Sequence, residues 1–411
     1  MNFRAVEARV LAVAPWLLAL SLLGHLTMVA FQTQMTMIDL MVYRNGSPEL
    51  FTGQLYDWRL SEFSDKFALP FTYPTFSAFV FLPLSWVPWG VARWIWQLGS
   101  LACLYWLIRM ALRIIGRESD GIDAAVWTRR AMLWTALAVW IEPVRTTLNY
   151  GQINLVLAAI LLTTMVSLRQ WAAGFGVGVT AGIKLTPAIS GLYFLVTKRY
   201  AAAAWSFVAF LLTVGIGYLL SPALSNRYWF ELLGDASRVG PVGSAINQSL
   251  RGALSRSFGH DVHTGLSYQV AVVIAALLTG WALREALRTK DTLAGVVAVQ
   301  IFGLLVSPIS WSHHWVWMMP ALMWLLYGRA SGHRLVVVTA WAWVLAVGSY
   351  LISILLIVQP SIWDFSRPWY YSLLGWVYPA CGLLTLAAIA VGLRARAVRP
   401  EPEAELVSSQ A

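Results

Sequence analysis

The 411-residue chain is 59% hydrophobic and only 12% charged, with a mean hydropathy of +0.65. A soluble domain carries roughly twice that charged fraction, which excludes a water-soluble globule. The formal charge of +10 is spread in twos and threes between apolar runs, as in short cytoplasmic loops, and forms no basic stripe, which excludes nucleic acid as a partner.

Arg4 and Arg9 precede an apolar run from Leu11 to Ala30. The run exceeds the core of a secretory signal and no small-residue cleavage pattern follows, so it reads as a retained first span with the chain start in the cytoplasm. Further helices are expected near 92–115, 131–146, 152–168, 171–184, 186–197, 201–221, 268–287, 293–309, 315–327, 335–357 and 372–393. This is an all-α polytopic membrane protein of about twelve transmembrane helices, a single domain over 1–398. Both ends are then cytoplasmic, and the inner loops collect Arg129, Arg130, Lys198, Arg199, Arg284 and Arg288 among other basic residues, as orientation by positive charge requires. The pair 171–184 and 186–197 is short for two spans and predicts tilted or re-entrant helices. Pro74 to Val87, interrupted by Pro83 and followed by Pro88, is expected as a helix on the outer surface. Residues 399–411 read as a disordered cytoplasmic tail. Cys103 and Cys381 fall inside apolar runs, so neither a disulfide framework nor a Cys-rich metal site is expected.

Polar residues on the outer side concentrate in 31–91, 142–152, 182–187, 222–267, 307–314 and 358–371. Ionisable groups gather at this one face, with 31–91 and 222–267 forming the expected active-site face. A transporter would place such groups near the bilayer midplane on paired half-helices, so the pattern points to chemistry on a lipid-borne substrate. Proton-coupled movement of a lipid or polysaccharide is the rival reading. No phosphate loop, dinucleotide glycine pattern or His-Glu-x-x-His run is present, which disfavours a nucleotide-sugar donor.

Asp39 interrupts an apolar stretch just past the first span. A carboxylate there serves either as a general base or as a helix cap. Lys184, at a helix break before Pro187, either meets a phosphate or snorkels to the interface. Arg251 either binds phosphate or orients its loop, and Asn247 and Gln248 beside it suit sugar or phosphate hydrogen bonds. His313 and His314 are adjacent, so their side chains diverge by about 100° on a helix, unlike the same-face pair that a metal needs. One of them reads as a hydrogen-bond donor to phosphate and the other as packing among Trp311, Trp315 and Trp317, with no metal. Glu142 either binds sugar hydroxyls with the Gly151-Gln152 turn or pairs with Arg145. Glu49, Asp57, Glu62 and Asp65 are loop charges or contacts for an acceptor headgroup.

Asp39-Leu-Met-Val-Tyr43, Phe71-Thr-Tyr73-Pro74, Glu142-Pro143, Asn149-Tyr-Gly151-Gln152-Ile-Asn154, Lys184-Leu-Thr-Pro187, Asn247-Gln248-Ser-Leu-Arg251 and Ser307-Pro308-Ile-Ser-Trp311-Ser-His313-His314 resemble glycosyltransferase family 87 in order and spacing. The resemblance implies a glycosyltransferase C-type fold with periplasmic loop helices. It implies an inverting α-1,2-mannosyltransferase that takes mannose, β-linked in the donor, from polyprenyl-phosphate-mannose and needs no further cofactor. The acceptor it implies is a mannosylated phosphatidylinositol glycolipid among membrane lipids at the periplasmic face, with branching of lipomannan or arabinomannan as the alternative. It makes Asp39 the base. Lys184, Arg251, His313 and His314 would receive the donor phosphate, and Tyr43, Tyr73, Glu142, Gln152, Asn154, Asn247 and Gln248 would contact substrate.

Overall fold

The computed structural model describes residues 3–33, 35–61, 68–117 and 123–398. The tail expected at 399–411, Glu62 and Asp65 lie outside them. Helix α1 (Phe3–Ala30) is followed by α2 (Ile38–Gly46) and α3 (Glu49–Thr52), then by an antiparallel pair, β1 (Arg59–Leu60) with β2 (Leu69–Pro70), in which Arg59 faces Pro70. Then come α4 (Thr75–Phe81), α5 (Trp89–Arg117), α6 (Ala124–Ala138), α7 (Glu142–Tyr150), α8 (Asn154–Met165), α9 (Gln170–Ile183), α10 (Ser190–Val196) and α11 (Tyr200–Leu220). Three short helices, α12 (Pro222–Arg227), α13 (Ala236–Val239) and α14 (Leu250–Phe258), lead to α15 (Leu266–Arg288), α16 (Thr292–Val306) and α17 (Met318–Tyr327). The chain closes with α18 (Arg334–Gly348), α19 (Leu351–Val358), α20 (Trp369–Leu374) and α21 (Val377–Val398).

The protein is helical and multi-pass, and the helices fall where the apolar runs put them. Five of them, α1, α5, α11, α15 and α21, are long and apolar enough to cross a membrane. Counting the bent pairs α7–α8 and α18–α19 as one span each gives seven. Among the described residues the expected twelve are not reached on length and composition. The 15 residues of α16, for example, rise about 22 Å against roughly 30 Å of hydrocarbon. The single helix expected over 131–146 is two, α6 and α7. Outward-facing Trp16, Leu20 and Leu23 on α1 are exposed in the isolated chain, as suits a helix solvated by lipid.

Two local features fix the depth of the functional residues. Gly174, Gly178 and Gly182 line one face of α9, where a Cβ would come within 2.2 Å of the Ala202 carbonyl, 2.3 Å of the Ser206 carbonyl and 2.1 Å of Thr213 Oγ1 on α11. Small residues at a spacing of four let the two backbones touch, and this contact sets where Lys184 emerges from α9. The second feature is the turn between α7 and α8, a bend of 117°. Gly151 caps α7 there in the left-handed region, at φ +69°, which only glycine adopts without strain.

Candidate active site

A cavity of about 450 Å³ opens between the segment that joins α1 to α5, the α7–α8 turn, the end of α9 and the segment around His313. Helix α2 is docked onto the α7–α8 turn at its first residues. Asn149 accepts the Thr36 amide through Oδ1 (2.8 Å) and the Met37 amide through its carbonyl (2.7 Å). Leu40, fully buried, packs on Gly151 so closely that a Cβ at 151 would lie 2.7 Å from the Leu40 Cβ. Asp39, one residue before Leu40, thereby faces the cavity.

Gly151→Ala meets both the positive φ, at about 1 kcal/mol or more, and the Leu40 Cβ. We expect α2 to lift and kcat to fall at least tenfold, measured as initial rates of the sugar transfer that the sequence resemblance implies. A rate within twofold of wild type would show that α2 tolerates the shift.

Gln152 is the hub of the site. Its Oε1 accepts from Tyr43 Oη (3.0 Å), Tyr73 Oη (3.3 Å) and Lys184 Nζ (3.4 Å), which leaves its amide NH₂ to donate to the Asp39 carboxylate. The Tyr43 and Tyr73 hydroxyls also lie 2.9 Å apart, so their two protons serve two of the three contacts among Tyr43, Tyr73 and Gln152 at any one time. Burial raises the Asp39 pKa to about 6, while the Gln152 hydrogen bond and the Lys184 charge pull it down. The carboxylate is therefore ionised at pH 7 but basic enough to accept a proton.

Lys184 is buried and donates to Asn154 Oδ1 (2.9 Å) and to His314 Nε2 (3.2 Å), with its Nζ 5.3 Å from the Tyr73 ring centre. Its burial rules out snorkelling. Burial pulls the Lys184 pKa down to about 7, against the Asp39 charge that pulls it up; in its ammonium form the side chain only donates, so His314 Nε2 then accepts and Nδ1 carries the proton. Burial, followed by the Lys184 charge, holds both His313 and His314 well below the usual histidine range, so both imidazoles are neutral. Among the described residues, neither ring nitrogen of His313 nor Nδ1 of His314 has a protein partner, although both rings line the cavity. The His313 carbonyl is fixed by Thr147 Oγ1 (2.9 Å) and Asn154 Nδ2 (2.8 Å). Among the described residues no group of three His, Cys, Asp or Glu could hold a metal ion.

Asp39, Tyr43, Tyr73, Gln152, Lys184, His313 and His314 thus meet at one cavity, with Asn154 bracing it from behind. Five other expected residues do not join them. Arg251 is bound by Asp261 at 2.7 and 2.9 Å and does not line the cavity. The side chains of Asn247 and Gln248 are spent on backbone: Asn247 on Val242, Pro308, Ser249 and Ser310, Gln248 on Ala245, Gly375 and Tyr378. Glu142 accepts from Ser353 and from Tyr378 Oη (2.7 Å), tying α7 to α19 and α21. It makes no ion pair with Arg145, which turns to His25 instead. Asp57 pairs with Arg227 at 2.6 Å.

Sequence reasoning missed Arg238 and Asp235, which line the cavity from the short helices of the 222–267 segment. The Arg238 guanidinium donates to the carbonyls of Tyr56 (2.8 Å) and Phe71 (3.1 Å) and lies over the Tyr56 ring. No periodicity or motif surrounds Arg238; only the flag on the whole loop pointed there.

The sequence profile of glycosyltransferase family 87 matches residues 71–308. A polyprenol-phosphate-mannose-dependent α-(1-2)-phosphatidylinositol pentamannoside mannosyltransferase of Mycolicibacterium smegmatis is 43% identical over 386 residues, 93% of this chain and 92% of its own. Its Mycobacterium tuberculosis namesake is 42% identical, covering 88% and 83%. A second M. tuberculosis relative, a polyprenol-phosphate-mannose-dependent α-(1-2)-phosphatidylinositol mannoside mannosyltransferase, is 32% identical over 77% of this chain and 76% of its own. No solved structure matches the chain.

Proposed function

The chain belongs to glycosyltransferase family 87, and on that footing we propose that it is an inverting α-1,2-mannosyltransferase. It moves mannose from polyprenyl-phosphate-mannose to a mannosylated phosphatidylinositol at the outer face of the plasma membrane. One observation carries the reading: a carboxylate, Asp39, and a basic side chain, Lys184, line a single cavity together with Gln152, to which Lys184 donates (3.4 Å). An acceptor hydroxyl attacks C1 of the donor mannose while Asp39 takes its proton. The C1–O bond to phosphate breaks, and its electron pair leaves with polyprenyl phosphate. Lys184 and the Nδ1–H of His314 meet the charge that develops there, with the free nitrogens of His313 beside them. A single displacement of this kind converts a β-linked donor into an α-linked product. Arg238 and Asp235 line the other part of the cavity, where donors and acceptors of hydrogen bonds suit the sugars of the acceptor. Arg251 has no part in this account.

The arrangement of basic residues supports the outer location. Glu7, near the start of α1, pairs with Arg130 (2.6 Å), and Arg396 and Arg329 are tied to the loops between later helices. The far end of α1 leads within a few residues to Thr36, bound at the cavity by Asn149. Arginine-rich loops thus lie at one end of the bundle and the cavity at the other, the distribution expected for a cavity facing outward.

The test is product analysis. Purified protein in liposomes with polyprenyl-phosphate-mannose and a series of phosphatidylinositol mannosides should add one hexose in α-1,2 linkage, read by mass spectrometry and NMR. The pentamannoside should be the best acceptor. Movement of lipid between leaflets without a new glycosidic bond would sink the proposal, and extension of lipomannan alone would replace the acceptor.

A further inference from the structure

A polar chain runs through the apolar interior behind α2 and takes no part in the steps above. Arg145 on α7 donates to His25 Nδ1 on α1 (3.1 Å), and His25 Nε2 donates to Gln97 Oε1 on α5 (2.9 Å). Gln97 Nε2 donates in turn to the Leu148 carbonyl (2.7 Å) and to the Met37 sulfur (3.2 Å). His25 and Gln97 are fully buried. The sense of every bond is forced. A guanidinium only donates, so His25 Nδ1 accepts, Nε2 bears the proton, and Gln97 must turn its carbonyl to His25 and its NH₂ to Leu148 and Met37. Arg145 also reaches the Met28 sulfur (3.2 Å) and lies over the Trp140 ring, with no carboxylate partner among the described residues.

Such groups are costly inside a bilayer and are kept where they do something. Here the chain ends on Met37, two residues before Asp39. Met37 is held in the left-handed region at φ 49°, a conformation that persists in a non-glycine residue only when its surroundings over-determine it. The Asn149 carbonyl fixes the Met37 backbone from one side, and Gln97 fixes its side chain from the other.

We propose that Gln97, oriented by His25 and Arg145, is a positioning residue: it sets the first turn of α2 and therefore the place of the Asp39 carboxylate. The inference rests on Asp39 being the base of the proposed reaction. Gln97→Leu fills a similar volume but ends the chain. Its kcat should fall about a hundredfold, the loss expected for a misplacement of about 1 Å, while KM for the lipid-linked donor stays within threefold. His25→Leu should behave likewise. His25→Gln, whose amide can accept from Arg145 and donate to Gln97, should recover most of the rate. Met37→Leu, which removes only the sulfur acceptor, should lower kcat several-fold and is informative even where Gln97→Leu does not fold.

Wild-type kcat in either Gln97→Leu or Met37→Leu overturns the proposal. So does equal loss in His25→Leu and His25→Gln, or a fall in kcat matched by a rise in donor KM, since each marks a purely structural brace. Full activity of an Asp39 variant is a different failure, because it removes the base itself.

Discussion

Asp39→Asn is expected to lower the rate of transfer about a thousandfold, within the range that a positioned general base supplies, while expression and donor KM stay near wild type. The amide keeps the shape of the carboxyl group and can still meet Gln152, but it cannot take a proton from a sugar hydroxyl. The same carboxylate sets the pH dependence. Its pKa lies at about 6 because it is desolvated, and burial brings Lys184 down to about 7, so kcat/KM should rise with pH through 6 and fall again above about 7 as Lys184 loses its proton. Below 6 the base is protonated. The sign for stability runs the other way. A raised pKa means that the folded protein retains a proton that the unfolded chain has released, so stability falls as pH rises from the unfolded value through 6. Asp39→Asn should therefore melt no earlier than wild type at pH 7. A variant that keeps full turnover, or a profile flat down to pH 5, would remove Asp39 from the chemistry.

Lys184→Met should lower kcat by about a hundredfold or more, the loss seen when one pre-placed donor to a developing oxyanion is removed. Methionine fits the space of the lysine stem, so the packing of α9 survives. Two further effects identify the cause. Without the Lys184 charge, which pulls the Asp39 pKa down, the acid limb should move above 6. His314 Nε2 also loses its donor, which frees the ring to exchange tautomers and weakens the Nδ1–H aimed at phosphate. Lys184→Arg should recover little, because a planar guanidinium does not fit a site built around Asn154, Gln152 and His314 at about 3 Å. A rate in Lys184→Met within threefold of wild type, with an unmoved acid limb, would count against a role at the leaving group.

The long uniform helices were legible because hydropathy alone defines them: 201–221 was expected and Tyr200–Leu220 is found, 268–287 was expected and Leu266–Arg288 is found. The break of 131–146 into α6 and α7 did carry a signal, Pro143, which stands in the first turn of α7 where proline opens a helix, but the run was read straight past it. The 117° reversal at Gly151 leaves no trace in hydropathy. Among site residues, Asp39, Gln152, Lys184 and the two histidines were visible as polar groups at apolar boundaries and as parts of a family pattern. Arg251 looked equally suitable, but Asp261 lies within reach of it in the fold, and a sequence does not say which charges find each other. Asn247 and Gln248 failed for a similar reason: irregular buried backbone needs side-chain partners, and these two amides supply them. Arg238 carried no signal of its own because its place depends on carbonyls of Tyr56 and Phe71, more than 160 positions away.

The aliphatic part of the cavity lining, Leu232, Leu233, Val239, Leu356 and Ile362, bears on a competing reaction. A carboxylate able to activate a sugar hydroxyl can activate a solvent molecule equally well, and hydrolysis of the donor would then release free mannose. Aliphatic walls give solvent few hydrogen-bonding partners, so an ordered water has little to hold it in line with the anomeric carbon. On the proposed reaction, fidelity for a glycolipid acceptor over hydrolysis would in this sense be a property of the greasy lining, set by residues that never touch the bond being exchanged.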